Sequence, residues 1–187
     1  MPSLIEELQA NAIDQSVALG ELLRKAKLAA VKLSRADFAD WIEAESNGYR
    51  GRRNGDVPEY RKVTTTLKWL NPYHGWQPTG VTRTDVVGQS IAEIQRLVEG
   101  DAPFFSVPAD HKAAQLVSDG LGINVRVEWH ISRAAVASIP DRVRDAVLDW
   151  ALKLEQAGVH GEGLRFTPAE RKAAERLSLN AGGTRVG

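Results

Sequence analysis

Apolar residues recur along this chain with two periods, and the switches between them mark out its elements. Ser3-Leu-Ile-Glu6 pairs a hydroxyl with a carboxylate three residues on, each able to satisfy a free amide of a first helical turn, so a short helix is predicted there. From Val17 to Leu33, the residues Leu19, Leu22, Leu23, Ala26, Ala29, Ala30 and Leu33 follow at three- and four-residue steps. Glu21, Arg24, Lys25 and Lys27 fall mostly off that stripe. The spacing predicts an amphipathic helix capped by Asp14 and Ser16. Ser34-Arg-Ala-Asp37 opens a third helix with Phe38, Trp41 and Ile42 inward and an end at Asn47-Gly48. Glu45, one turn past Trp41, reads as a helix-end acid facing water or a basic loop residue.

The period then falls to two. From about Glu59 to Leu70, Val63, Thr65, Leu67 and Trp69 alternate with Tyr60, Lys62, Thr64, Thr66 and Lys68, which predicts a strand with one buried face and one wet or bound. Asn71-Pro72 and Gly75 predict a turn, followed by a return strand that Pro78 confines to an edge or a bulge. Ile123, Val125, Val127, Trp129 and Ile131 alternate with Asn124, Arg126, Glu128, His130 and Ser132 in a further strand. Helical spacing returns from Ser90 to Gly100 and from Pro108 to Gly120, the latter with Ala109, Ala113, Leu116 and Val117 inward. It returns again from Pro140 to Gly158 and from Thr167-Pro168 to about Leu177. Helices and strands do not alternate regularly, so the predicted class is α+β and helix-rich, an N-terminal helical unit followed by a small antiparallel sheet packed against helices.

Composition supports a core and narrows the chemistry. The 187 residues are 43% apolar, enough to bury a sizeable interior. Lys plus Arg and Asp plus Glu both total 24, so no global field draws the chain to nucleic acid or a membrane surface, and any charged partner is met locally. With no cysteine, disulfides, thiolate metal sites and a cysteine nucleophile are excluded. The N-terminal Met1-Pro2-Ser3-Leu4-Ile5-Glu6-Glu7-Leu8 is acidic where a secretory signal is basic. No stretch reaches the roughly 20 apolar residues that span a bilayer. The expectation is a soluble, cytoplasmic protein with no membrane partner.

His74, His111, His130 and His160 are scattered without metal-binding spacing, and no phosphate-binding loop or nucleophile elbow occurs. No catalytic residue, cofactor or metal is therefore expected. A metal-dependent nuclease would need clustered carboxylates, and Glu59, Asp85, Glu128 and Asp145 have no recognisable spacing. The sharper signal is a basic and aromatic surface: Arg50, Arg52, Arg53, Arg61 and Lys68 with Tyr60, Asn71, Tyr73, His74 and Trp76. Cations suit phosphates and flat rings suit unstacked bases, so this surface fits either a recognition loop or a nucleic-acid or nucleotide site.

Six motifs in order resemble the AbiTii domain: Leu22-Leu23-Arg24-Lys25-Ala26 followed by Trp41, Glu45-Ser-Asn47-Gly48-Tyr49, Val57-Pro58-Glu59-Tyr60-Arg61, Asn71-Pro72-Tyr73-His74-Gly75-Trp76-Gln77-Pro78, Ser90-Ile-Ala-Glu93 and Leu148-Asp149-Trp150-Ala151-Leu152-Lys153-Leu154-Glu155. Gly158 and Gly161-Glu162-Gly163 continue the similarity. The resemblance implies a single domain over 3–178, within which the periodicities place a helical unit at 3–48 and a sheet-plus-helix unit at 57–178, and the glycine-rich end is expected to be a flexible tail at 179–187. It further implies a part in bacterial abortive infection, in which a cell stops growing or dies on phage attack. The resulting expectation is a non-enzymatic module acting by recognition or self-assembly, with a phage or host component or a second copy of the chain as partner. Nucleic-acid or nucleotide binding is the alternative, and a metal-dependent nuclease-like toxin the third option.

Overall fold

The computed structural model describes residues 2–177; the tail expected at 179–187 lies outside the described residues. Three helices, α1 (Leu4–Ile13), α2 (Leu19–Lys32) and α3 (Ala36–Asn47), come first. After a turn-rich segment come β1 (Lys62–Asn71), β2 (Gly75–Val86), α4 (Ile91–Glu99), β3 (Phe104–Pro108), α5 (His111–Leu121), β4 (Val127–Ser132), α6 (Arg133–Gln156) and α7 (Pro168–Glu175). The strands form one antiparallel sheet in the order β2-β1-β4-β3. The α+β class, the N-terminal helices and the antiparallel sheet are as the periodicities predict.

The largest apolar cluster joins Leu4, Ile5 and Leu8 of α1, the inner stripe of α2, and Phe38, Trp41 and Ile42 of α3 to Val143, Val147, Trp150 and Leu154 of α6. Phe38 stacks on Trp150 with ring centroids 3.9 Å apart. Val63, Phe105 and Ile131 bring one end of the sheet into the same cluster. Toward its other end, Leu67, Val127 and Trp129, with Trp69, are covered by Ala113, Ala114 and Val117 of α5. Val63, Leu67 and Trp69, at odd positions of β1, thus face helices.

Several local expectations are corrected. The reciprocal hydroxyl–carboxylate cap predicted at Ser3 closes, and the same capping box forms at Ser90 with Glu93 and at Thr167 with Glu170, but α2 has no side-chain cap, because Asp14 is occupied by Ser16. Asp37 likewise bonds Arg35 instead of serving a box with Ser34. Pro108 ends a strand, not a helix start, and α5 begins after the Asp110 cap, with Leu116 exposed and the helix running on to Leu121. Ile123 is exposed, and β4 starts only at Val127. Pro140 lies inside α6, which Ser132 caps seven residues before the expected start.

Candidate functional site

Between Tyr49 and Arg61 the chain builds a buried polar knot. Glu45 and Arg61 are both fully buried and paired to each other, and Arg61 also donates to the carbonyls of Val87 and Gln89. The Tyr49 and Tyr60 hydroxyls donate to Glu45 Oε1 at 2.7 and 2.6 Å, and Trp41 Nε1 donates to the Tyr60 oxygen at 2.9 Å. Burial pushes both tyrosine hydroxyls up in pKa, and the Glu45 charge adds to the effect. Glu45 is therefore not a solvated helix-end acid, and Arg61 is not accessible to a partner. The expected strand start at Glu59 is a single 3-10 turn, Glu59–Arg61, which turns Arg61 inward.

The even positions of β1 define the second face of the sheet. Cross-strand register puts Lys62, Thr64, Thr66, Lys68 and Leu70 on it, with Val86, Thr84, Thr82, Pro78 and Trp76 of β2. Glu128 and His130 of β4, and Phe104, Ser106 and Pro108 of β3, share this face. Among its described apolar residues only Val86 joins a cluster, with Ala44, Tyr49 and Val57 at one end; no helix among the described residues covers the rest. The β1–β2 register slips by two residues between Thr66 and Lys68, where Thr79, Gly80 and Val81 bulge out just past Pro78 on the edge strand.

At the centre of this face His130, 4% exposed, stacks on Phe104 at 4.2 Å and meets Trp76 edge-on at 4.5 Å. Neither ring nitrogen has a hydrogen-bond partner among the described residues; Glu128 Oε2 lies 3.7 Å from Nε2. Burial and the nearby Lys68 charge lower the His130 pKa, against the opposing pull of Glu128. Burial opposes the Glu128 charge, but the Ser106 hydroxyl and Arg126 outweigh it and hold its carboxyl below the usual range. Arg126 Nε donates to Glu128 Oε1 at 2.7 Å while its guanidinium lies 5.7 Å from the Trp76 ring centre.

The expected contact residues separate into four places. Lys68 and Trp76 lie on the bare face. Asn71, Tyr73 and His74 form the hairpin tip beyond it, where Asn71 Oδ1 accepts from the Tyr73 and His74 amides at 2.8 and 3.1 Å and Gly75 takes φ +71°. Tyr73 is 90% exposed. Tyr60 and Arg61 belong to the buried knot. Arg50 pairs with Glu93, Arg52 lies 5.6 Å over the Tyr49 ring, and Arg53 is exposed. The central His130, Glu128, Phe104 and Arg126 are absent from the expected set, although β4's alternation already placed Arg126, Glu128 and His130 on the polar side.

No helix among the described residues is long and apolar enough to cross a membrane, and no group of three His, Cys, Asp or Glu among them can hold a metal ion. Fold and face together define a class: an α+β module whose sheet is covered by helices on one side and largely bare on the other. The AbiTii family profile matches residues 3–178, and the chain belongs to that family. The family carries an association with abortive infection and phage defence. No curated protein and no solved structure matches the chain.

Proposed function

We propose that the chain is a non-enzymatic recognition module of a bacterial abortive-infection system. It acts in the cytoplasm and engages a phage or host component through the bare sheet face and the hairpin tip. The supporting observation is Tyr73, 90% exposed on a turn that Asn71 fixes at the end of that face. A large aromatic held in water by a preorganised turn contributes nothing to the core, while interfaces use such side chains as anchors.

The test is phage challenge of bacteria expressing the chain in its native context. Wild type is expected to lower plaque counts against empty vector, and Tyr73→Ala to restore them while the protein still accumulates. Plaque counts for wild type equal to vector across a broad phage panel would remove the proposal. So would full protection by Tyr73→Ala and Trp76→Ala together.

A further inference from the structure

Residues on the bare face narrow what such a partner is made of. Flat rings grouped on an antiparallel sheet, with cations around them, match a ligand that offers aromatic faces and negative charge close together. Charge on this face sorts in that direction. Glu128 is matched by Arg126 and Glu59 by Lys62, whereas Lys68 makes no ion pair among the described residues. Beyond Val86, at the far end, Arg52 lies over the Tyr49 ring, exposed and without a carboxylate partner among the described residues. The surplus is positive although the whole chain is neutral.

His130 supplies the independent observation. It is nearly completely buried, yet both ring nitrogens are unpartnered among the described residues. Burial and Lys68 favour the neutral ring, in which one nitrogen donates and the other accepts. Buried polar atoms ordinarily find partners, and a base edge provides both kinds of group. Phe104 and Trp76, which enclose His130, are each part-exposed, so a base can reach a ring beside it. A duplex keeps its base faces stacked on one another and offers none to these rings.

We infer that the bare sheet face is a platform for single-stranded nucleic acid, with Trp76 and Phe104 stacking on bases, the His130 nitrogens taking a base edge when either ring shifts aside, and Lys68 meeting phosphate. This rests on the recognition proposal for the same face and names its ligand class. The direct test is fluorescence anisotropy with labelled mixed-sequence RNA and DNA single strands about a dozen nucleotides long, and with the matching duplexes. Single strands are expected to bind more tightly than duplexes, and the RNA and DNA arms tell which sugar is preferred. Trp76→Ala should weaken binding about ten-fold while Trp76→Phe retains most of it. Lys68→Gln should flatten the slope of log affinity against log salt by about 0.7, the contribution of one phosphate contact on a single strand.

Absence of single-strand binding at low ionic strength, equal binding of duplex, or unchanged affinity in both Trp76→Ala and Lys68→Gln overturns the inference. Circular dichroism of each variant separates lost binding from lost folding. Protection abolished by Trp76→Ala in a protein that binds no oligonucleotide leaves the recognition proposal standing and removes this one. Oligonucleotide binding without any protection from phage does the reverse.

Discussion

Glu45 shows how much one carboxylate can organise: it takes Arg61, Tyr49 and Tyr60 at once, with no water-facing side. Removing either charge strands the other in the interior, at a cost of about 3–5 kcal/mol. Glu45→Ala and Arg61→Ala should each lower the unfolding free energy from urea titration by that amount, and a loss under about 1 kcal/mol would show that the knot is solvated. The two tyrosines make a second prediction. Their folded pKa values lie above the unfolded value of about 10, so their contribution is complete below that pH and is lost as pH rises beyond it. Two protons retained only by the folded state give a fall of about 2.7 kcal/mol per pH unit, and the Tyr49→Phe/Tyr60→Phe variant should lack that component in alkaline urea titrations. The sequence allowed Glu45 a basic partner but not which one, nor that the pair is buried with two tyrosines. Tyr49 lies one helical turn away, but Arg61 is sixteen positions on and enters the knot only because the Glu59–Arg61 turn points it inward.

At the scale of elements, spacing and caps located most helices, and errors fell where a local signal had two uses. Proline suits a helix start, and the sequence predicts one at Pro140; α6 instead runs through it, leaving the Val136 carbonyl without its usual helical donor while the apolar face stays buried. Strand β3 is five residues, following Pro103 and ending on Pro108, too short for its alternation to stand out, and exists because β4 offers it an edge. Where the elements join, α3 ends against the segment before α4. Gly48 has φ +91°, a Cβ there would lie 2.7 Å from the Gly88 carbonyl oxygen, and the Tyr49 amide bonds that same oxygen. Gly48→Ala should cost about 2 kcal/mol or more in thermal or urea unfolding, and a neutral result would mean the junction is loose. At α7, burial opposes the Glu170 charge, but the Thr167, Gly161 and His160 amides and the Thr167 hydroxyl together bring its pKa down to about 2. Its contribution is present above the unfolded value near 4.5 and lost as pH falls toward about 2. After allowance for solvent screening, Glu170→Gln should cost about 1–2 kcal/mol at neutral pH and nothing near pH 2.

For the whole molecule, the helices and one sheet face share a core, whereas the other face carries most of the candidate site. The sequence implied this division through the alternation in β1, but not how the face is furnished, because His130, Phe104 and Trp76 come from three strands whose register only the fold sets. The division separates the residues that hold the fold together from those of the candidate site. Trp150 stacks on Phe38 and lies in the cluster that ties α1, α2 and α3 to α6 and to the sheet through Val63. Trp150→Ala should therefore cost about 3–5 kcal/mol. Because one cluster spans both parts, the loss should appear as a shift of a single transition, coincident by far-ultraviolet circular dichroism and by fluorescence. Tyr73→Ala, at a tip that touches none of that cluster, should leave the same transition within about 0.5 kcal/mol of wild type. Two separated transitions in either protein would mean that the N-terminal helices and the sheet unfold independently, and the bare face would then rest on a smaller body than the shared core describes.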